Sequence, residues 1–426
     1  MKNDWMRLDN AAKIYPAAKS RNWTALFRLS ADLTEPVEPG ILREALRRTT
    51  GRFPHLATRL RRGVFWYYLE KNDGFPEPEE DSCCPCLPLR HEEHRDFCFR
   101  VLWYENRIAV EFFHVLTDGT GGMCFLKTLL AEYLSLRYAV SIPRGGDILD
   151  CTEAADPEEY EDSFLRHAGN VHASRAEKDS FYIKGKAEPD GFVNLTSGSV
   201  PTQILLDKAH EAGVSLTEYL TAVLIMSIYD IQRREVKFRF RRKPIKICVP
   251  VNLRRFFPTK TLRNFSSYVN PGIEPKMGQY TFEEALKVVY HQIGSEVTEK
   301  QLRAKFTTNV RSEKNPLLRI TPLFLKSPVM KLVFYIVGDR KTSSTISNLG
   351  NAKLPPEMAE YITGMDFVLG PFSRNPVVCA ALSYNGTTKL NFTRTITDSK
   401  VEKEFFRRLI KLGIPVLIES NRIWED

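Results

Sequence analysis

The chain has 426 residues, 43% of them apolar and 27% charged, the balance of an ordinary globular protein. That composition excludes collagen-like, disordered and disulfide-scaffold chains, and the length allows two or three domains whose cores need no covalent staples. An excess of 61 Lys and Arg over 52 Asp and Glu leaves a net charge of +9, which suits a nucleotide, a coenzyme, a membrane surface or nucleic acid without choosing among them.

The N-terminus has no apolar stretch of signal-peptide length. The longest apolar run, Tyr219 to Tyr229, is too short to span a bilayer, which takes about 20 residues. The expectation is a cytoplasmic protein without a transmembrane segment. In chain order, residues 23–33 read as a strand. Pro39-Gly40 opens a helix carrying Ile41, Leu42, Ala45 and Leu46, which Gly51 is placed to close. Val64 to Leu69 reads as a strand, and residues 75–96 as an irregular connection. Cys83, Cys84 and Cys86, with His91 and His94 nearby, raise a metal site. No second pair follows at zinc spacing, so reduced thiols and no metal are expected.

Two strands follow, Phe97–Tyr104 and Ile108–Phe113, then a helix through Leu126, Leu129, Leu130, Tyr133 and Leu134. Residues 143–163 read as an acidic surface excursion. A second α/β region starts near residue 190. Ser215 to Glu218 has capping-box form before a helix that is apolar nearly all round. Lys237 to Arg241 alternates like a strand, Ile245 to Val251 like a buried one, and residues 281–305 read as helical. Asn385-Gly386 between Val377–Tyr384 and Lys389–Arg394 marks a hairpin, and a helix follows through Phe405, Phe406, Leu409 and Leu412. The class is α/β (α+β), with an N-terminal lobe over residues 1–180 and a C-terminal lobe over residues 181–426.

The chemistry is concentrated at His114, Asp118 and Gly119. A β-rich strand delivers a His into a turn, where groups on a rigid scaffold meet substrate. A neutral imidazole can take a proton near neutral pH. A carboxylate four residues on can orient it or brace the loop, and Gly119 leaves room beside it. The plain alternative is a buried structural His above an ordinary turn. Arg233 to Lys243 is the densest basic run. If it is a strand, Lys237, Arg239 and Arg241 share one face, open to phosphates, to an acidic partner or simply to solvent. No nucleic-acid motif accompanies the charge. Arg59, Arg61 and Arg62 form a smaller patch.

The segment Phe113-His114-Val115-Leu116-Thr117-Asp118-Gly119 resembles the His-His-x-x-x-Asp-Gly signature of the chloramphenicol-acetyltransferase-like superfamily, with Phe113 at the first His. Further resemblances follow in the family's order: Arg52-Phe53-Pro54-His55-Leu56, then Val249-Pro250-Val251-Asn252-Leu253-Arg254. Next come Asn264-Phe265, with Arg263 where Gly is usual, then Ile346-Ser347-Asn348-Leu349-Gly350 and Asp366-Phe367-Val368-Leu369-Gly370. Together they span about residues 20–395, and the bacterial alcohol-acetyltransferase-like branch is the nearest.

The resemblance implies two lobes, each a mixed sheet covered by helices, with a tunnel between them and His114 at its centre. It implies direct acyl transfer from an acyl-CoA cosubstrate to an alcohol or amine acceptor, with His114 as general base. Asp118 is expected to pair, in bidentate form, with Arg254. Ser347, Asn348 and the N–H groups beside Gly350 are the candidates for an oxyanion site. For the face of Lys237, Arg239 and Arg241 the resemblance implies contact with coenzyme A or an acyl-carrier protein. A condensation-like enzyme fed by an acyl-carrier protein in trans, and a non-catalytic member of the fold, are the alternatives.

Overall fold

Strand Leu26–Leu33 is buried on both faces, as a central strand must be when other layers cover it. It lies between Arg107–Phe113 and Ile362–Leu369, antiparallel to both, and the sheet runs on through Phe99–Tyr104 to the short edge strand Pro78–Glu80. Helices Pro39–Arg52 and Gly119–Tyr138 pack on each other and cover this sheet. A three-stranded sheet of Trp5–Arg7, Tyr67–Lys71 and Thr58–Arg62 flanks it. The computed structural model describes residues 4–18, 23–82, 84–89, 95–171, 173, 177–372 and 374–422.

The second lobe is built on a larger sheet ordered Ser266–Val269, Ile245–Asn252, Ser344–Asn351, Val377–Tyr384, Thr387–Arg394, Asn194–Pro201 and Leu417–Ser420. Asn385 and Gly386 both have positive φ, 45° and 77°, in the tight turn that the dipeptide announces. The helix Leu216–Glu235 carries the expected capping box and is buried along most of its length. Each lobe has its own apolar core, and a small third cluster around Phe257, Phe265 and Phe306 lies between Leu253 and Leu302.

Several elements differ from the sequence reading. The boundary at residue 180 does not divide the sheets cleanly, because Ile362–Leu369 returns to pair with Leu26–Leu33 in the first lobe. Val64 to Trp66 form the turn of a hairpin whose strands are Thr58–Arg62 and Tyr67–Lys71. Gly51 lies inside the helix Pro39–Arg52 and does not close it. The helix Leu216–Glu235 runs up to the basic run, so Arg239–Arg241 is a single 3-10 turn and not a strand. Residues 281–305 fall in two helices, Phe282–Glu296 and Glu299–Lys314.

The lobes approach most closely at the start of the helix Gly119–Tyr138. A Cβ on Gly121 would overlap the Leu262 carbonyl oxygen and Thr117 Oγ1, whereas one on Gly119 would meet only Leu349 Cδ2, at 2.6 Å. Alanine normally favours a helix by about 1 kcal/mol over glycine. Gly121→Ala is nevertheless expected to destabilise by about 3 kcal/mol or more, because backbone cannot yield, while Gly119→Ala stays within about 1 kcal/mol. Urea unfolding of the two variants measures the contrast.

Candidate active site

His114 stands one residue past the strand Arg107–Phe113, and its N–H donates to Ala25 O at 2.9 Å, extending the pairing with the central strand. Tyr15 stacks on the imidazole with centroids 5.0 Å apart and planes 14° apart, and Phe27 lies 4.8 Å away on tilted planes. Two rings therefore hold the imidazole in one orientation.

Asn264 settles which ring nitrogen carries hydrogen. Its Nδ2 donates to His114 O at 2.9 Å and to Asp9 Oδ2 at 3.1 Å. A backbone carbonyl only accepts, so that end of the amide is the NH2. Its Oδ1 then faces His114 Nδ1 at 3.2 Å. An amide oxygen also only accepts, so Nδ1 holds the proton and Nε2 keeps its lone pair. Burial lowers the His114 pKa below its ordinary value, and the Asn264 hydrogen bond and the Asp118 charge oppose this only in part. The lowered pKa favours the neutral ring.

Asp118 does not accept from His114. Its Oδ1 takes the N–H groups of Thr120 (3.1 Å) and Gly121 (3.2 Å), capping the helix Gly119–Tyr138. Its Oδ2 takes Arg254 Nη1 and the Phe265 N–H, both at 2.8 Å. The contact with Arg254 is single and not the two-pronged fork expected from the sequence. The other donors of Arg254 are used on the loop itself: Nε on Thr261 O at 2.9 Å and Nη2 on Arg263 O at 2.6 Å. Arg263, where the family pattern has Gly, is buried and donates to Arg7 O at 2.7 Å, with Asp9 3.6 Å away. Its side chain ties the N-terminal segment to the site.

A cavity of about 940 Å³ between the lobes is lined by His114, Tyr15, Phe27, Trp23, Ser347 and Asn348 among others. A second cavity of about 320 Å³ lies behind it, lined by Lys127, Arg254 and Lys260. The two share Gly119, Thr120, Asn252 and Leu349 as a common wall, and His114 lines only the larger. The space beside Gly119 that the sequence reserves for substrate is filled by Leu349.

Of the three oxyanion candidates, two are occupied. Asn348 Oδ1 accepts from the Gly350 N–H at 2.8 Å, and Asn348 Nδ2 donates to Thr217 Oγ1 at 3.1 Å. Gly350, at φ 82°, turns the chain here. Only the Ser347 side chain stands on the cavity wall without a hydrogen-bond partner among the described residues.

The other motif residues fall outside this cluster. Arg52 holds Glu159 with two hydrogen bonds of 2.6 and 2.8 Å. His55 is buried near Arg263 and Arg52, and burial pushes its pKa down to about 3, so it is a neutral core residue. Asp366 accepts from Phe367 N and from Asn391 Nδ2, fixing the crossover strand, whose Phe367 and Leu369 reach the cavity. Lys237, Arg239 and Arg241 lie on the turn before Pro244, which lines the cavity; they do not line it themselves. Among the described residues no group of three His, Cys, Asp or Glu is placed to hold a metal. Cys83, His91 and His94 lie outside the described residues. Tyr15 and Asp9 were missed as site residues, because nothing in the spacing links the N-terminal segment to His114.

Asp118 gathers four hydrogen bonds while almost wholly buried. Asp118→Ala strands the Arg254 charge and three backbone donors, and is expected to cost about 3–5 kcal/mol in urea unfolding. Asp118→Asn keeps one acceptor oxygen and is expected to lose less.

No family model matches the sequence, and no curated protein matches it. Solved structures do match along nearly the whole chain. Polyketide synthase associated protein 5 from Mycobacterium tuberculosis superposes with a TM-score of 0.65 at 14% identity, covering 96% of this chain and 97% of that one. Trichothecene 15-O-acetyltransferase from Fusarium sporotrichioides gives 0.63 at 11%, with 96% and 94% covered. The starter condensation domain of rhizomide synthetase, in complex with C8-CoA, gives 0.60 at 14%, with 96% and 93% covered. The chain shares the fold of these structures along nearly its whole length.

Proposed function

We propose that this protein is an acyltransferase that moves an acyl group from a CoA thioester to an alcohol, or to an amine of similar reach. The observation that carries this reading is the His114–Asn264 pair: a neutral imidazole on a large cavity, with Nδ1 protonated and Nε2 left to accept. The acetyltransferase and the CoA-bound condensation domain that share the fold support the same class of chemistry.

In this mechanism Nε2 takes the proton of the acceptor hydroxyl as its oxygen attacks the thioester carbonyl. The carbonyl electrons move onto oxygen, and the tetrahedral intermediate is stabilised by a donor on the cavity wall, for which Ser347 Oγ is the candidate. The intermediate collapses, the carbon–sulfur bond breaks, and the imidazolium returns its proton to the leaving thiolate. No residue is acylated. Asp118 and Arg254 hold the loop in shape and take no part in proton transfer. A large apolar cavity limits the water that reaches the thioester.

Thiol release from acetyl-CoA with a panel of alcohols and amines tests the reading. His114→Ala is expected to lower kcat by about 10²–10⁴, the usual contribution of a general base. Asn264→Ala is expected to lower kcat by about 10² with little change in KM, since it frees the tautomer and leaves the cavity intact. Activity seen only with an acyl-loaded carrier protein transfers the donor role to that partner. Release that is independent of His114 overturns the mechanism. Because burial lowers the His114 pKa, the base remains neutral at pH values where an exposed His is protonated. The acid limb of kcat/KM is therefore expected below the ordinary value of 6.5.

A further inference from the structure

The helix Leu323–Val333 is built inside out. Its Lys326 is buried, with Nζ 3.4 Å from the centroid of the Trp66 ring and 3.0 Å from Phe65 O. Its large apolar side chains face outward instead: Phe324, Leu325, Val329 and Leu332 are 62%, 54%, 56% and 57% exposed. A helix on the surface of a globular protein does the reverse. The neighbouring hairpin turn adds Val64, 70% exposed, whose carbonyl accepts from Leu323 N at 2.7 Å, and Ile320 extends the patch at 68%. A contiguous exposed apolar patch of this kind marks a surface that contacts something else.

The charge on this segment indicates what. From Lys314 to Gly338 the sequence contains Lys314, Arg319, Lys326 and Lys331 and no Asp or Glu. An exposed apolar segment whose own charges are all cations matches an anionic lipid surface, where the chains enter the headgroup boundary and cations such as Arg319 and Lys331 meet phosphate. The helix is 11 residues long with Pro328 inside it, and among the described residues no single helix is long and apolar enough to cross a membrane. The segment fits lying on a surface. Val333 and Gly338, at its C-terminal end, line the His114 cavity, so this surface borders the mouth.

We propose that the segment Pro316–Gly338 docks this protein on anionic phospholipid membranes, with Phe324, Val329 and Leu332 inserted and Arg319 and Lys331 on the headgroups. This goes beyond the acyltransferase reading and does not depend on it, since the test measures binding without turnover. The full chain is sedimented with vesicles of phosphatidylcholine alone and of phosphatidylcholine mixed with phosphatidylglycerol. Wild type is expected to pellet with the mixed vesicles, less with phosphatidylcholine alone, and less again as salt is raised. The triple variant Phe324→Glu, Val329→Glu, Leu332→Glu is expected to lose at least about tenfold in partitioning, with an unchanged circular-dichroism melt. Arg319→Glu with Lys331→Glu is expected to remove the preference for phosphatidylglycerol. The proposal is overturned if wild type pellets with neither vesicle, or if both variants pellet like wild type. It is also overturned if wild type, without binding vesicles, forms a dimer that the triple variant abolishes; the occupant is then a second copy of the chain.

Discussion

The active-site geometry depends on how one loop of the second lobe grips the His114 turn of the first. The strand Ile245–Asn252 ends, the chain folds back through Leu253 to Phe265, and that return supplies the second lobe's hydrogen bonds to the turn. Arg254 and the Phe265 N–H hold Asp118, Leu262 O accepts from Thr117 Oγ1 at 2.6 Å, and Asn264 holds His114. Buried polar groups must be paired, so the turn and the loop cannot separate without exposing a carboxylate, a guanidinium and several backbone groups to an environment that does not solvate them. Lobe assembly and the state of the imidazole are thus set by the same contacts.

This arrangement separates charge from proton transfer. A carboxylate placed directly on His114 Nδ1 would fix the tautomer too, but would also raise the pKa and stabilise the imidazolium. A neutral amide fixes the tautomer with less bias toward the protonated ring. The negative charge of Asp118 is instead directed to a helix N-terminus and to Arg254, where it supports the backbone. What stands at the cavity is an imidazole whose burial favours its uncharged form.

The sequence reading went furthest where a local rule decides the outcome. The hairpin at Asn385-Gly386 needs two positive φ values, and the capping box at Ser215 needs only residues four apart in sequence or fewer. His114 and Asp118 were legible for the same reason, since both belong to one strand-to-turn segment. Partners distant in sequence were legible only where the family pattern carried them, as with Arg254; the spacing itself says nothing of a residue 136 positions away. Asn264 was visible as a motif residue but not as the group that fixes the tautomer, because that follows from which atoms face which. Alternation misled at Lys237–Arg241, where the chain links the helix ending at Glu235 to the strand starting at Ile245 through a 3-10 turn at Arg239–Arg241 that pairs with no strand among the described residues. Asp9 and Tyr15 belong to a segment whose place against His114 is set by the buried Arg263, a tertiary contact with no local signature.

The lobes meet at the start of the helix Gly119–Tyr138 through one fixed contact and one adjustable one. At Gly121 the lobes meet backbone to backbone, with Leu262 O filling the place of a side chain, and no rotamer change can widen the gap. At Gly119 the opposing group is the end of the Leu349 side chain, which has other staggered positions at modest cost. The wall between the smaller cavity, with its Lys127, Arg254 and Lys260, and the larger one is thus made of Leu349 beside Gly119 and of the Asn252 Nδ2 donation to Thr120 Oγ1 at 3.1 Å. That leucine lies two residues from Ser347, on a segment whose turn is held by Asn348 and Gly350. The motif that looked like an oxyanion site thus also serves as architecture: it holds the strand so that Leu349 fills the space beside Gly119 while Ser347 lines the larger cavity.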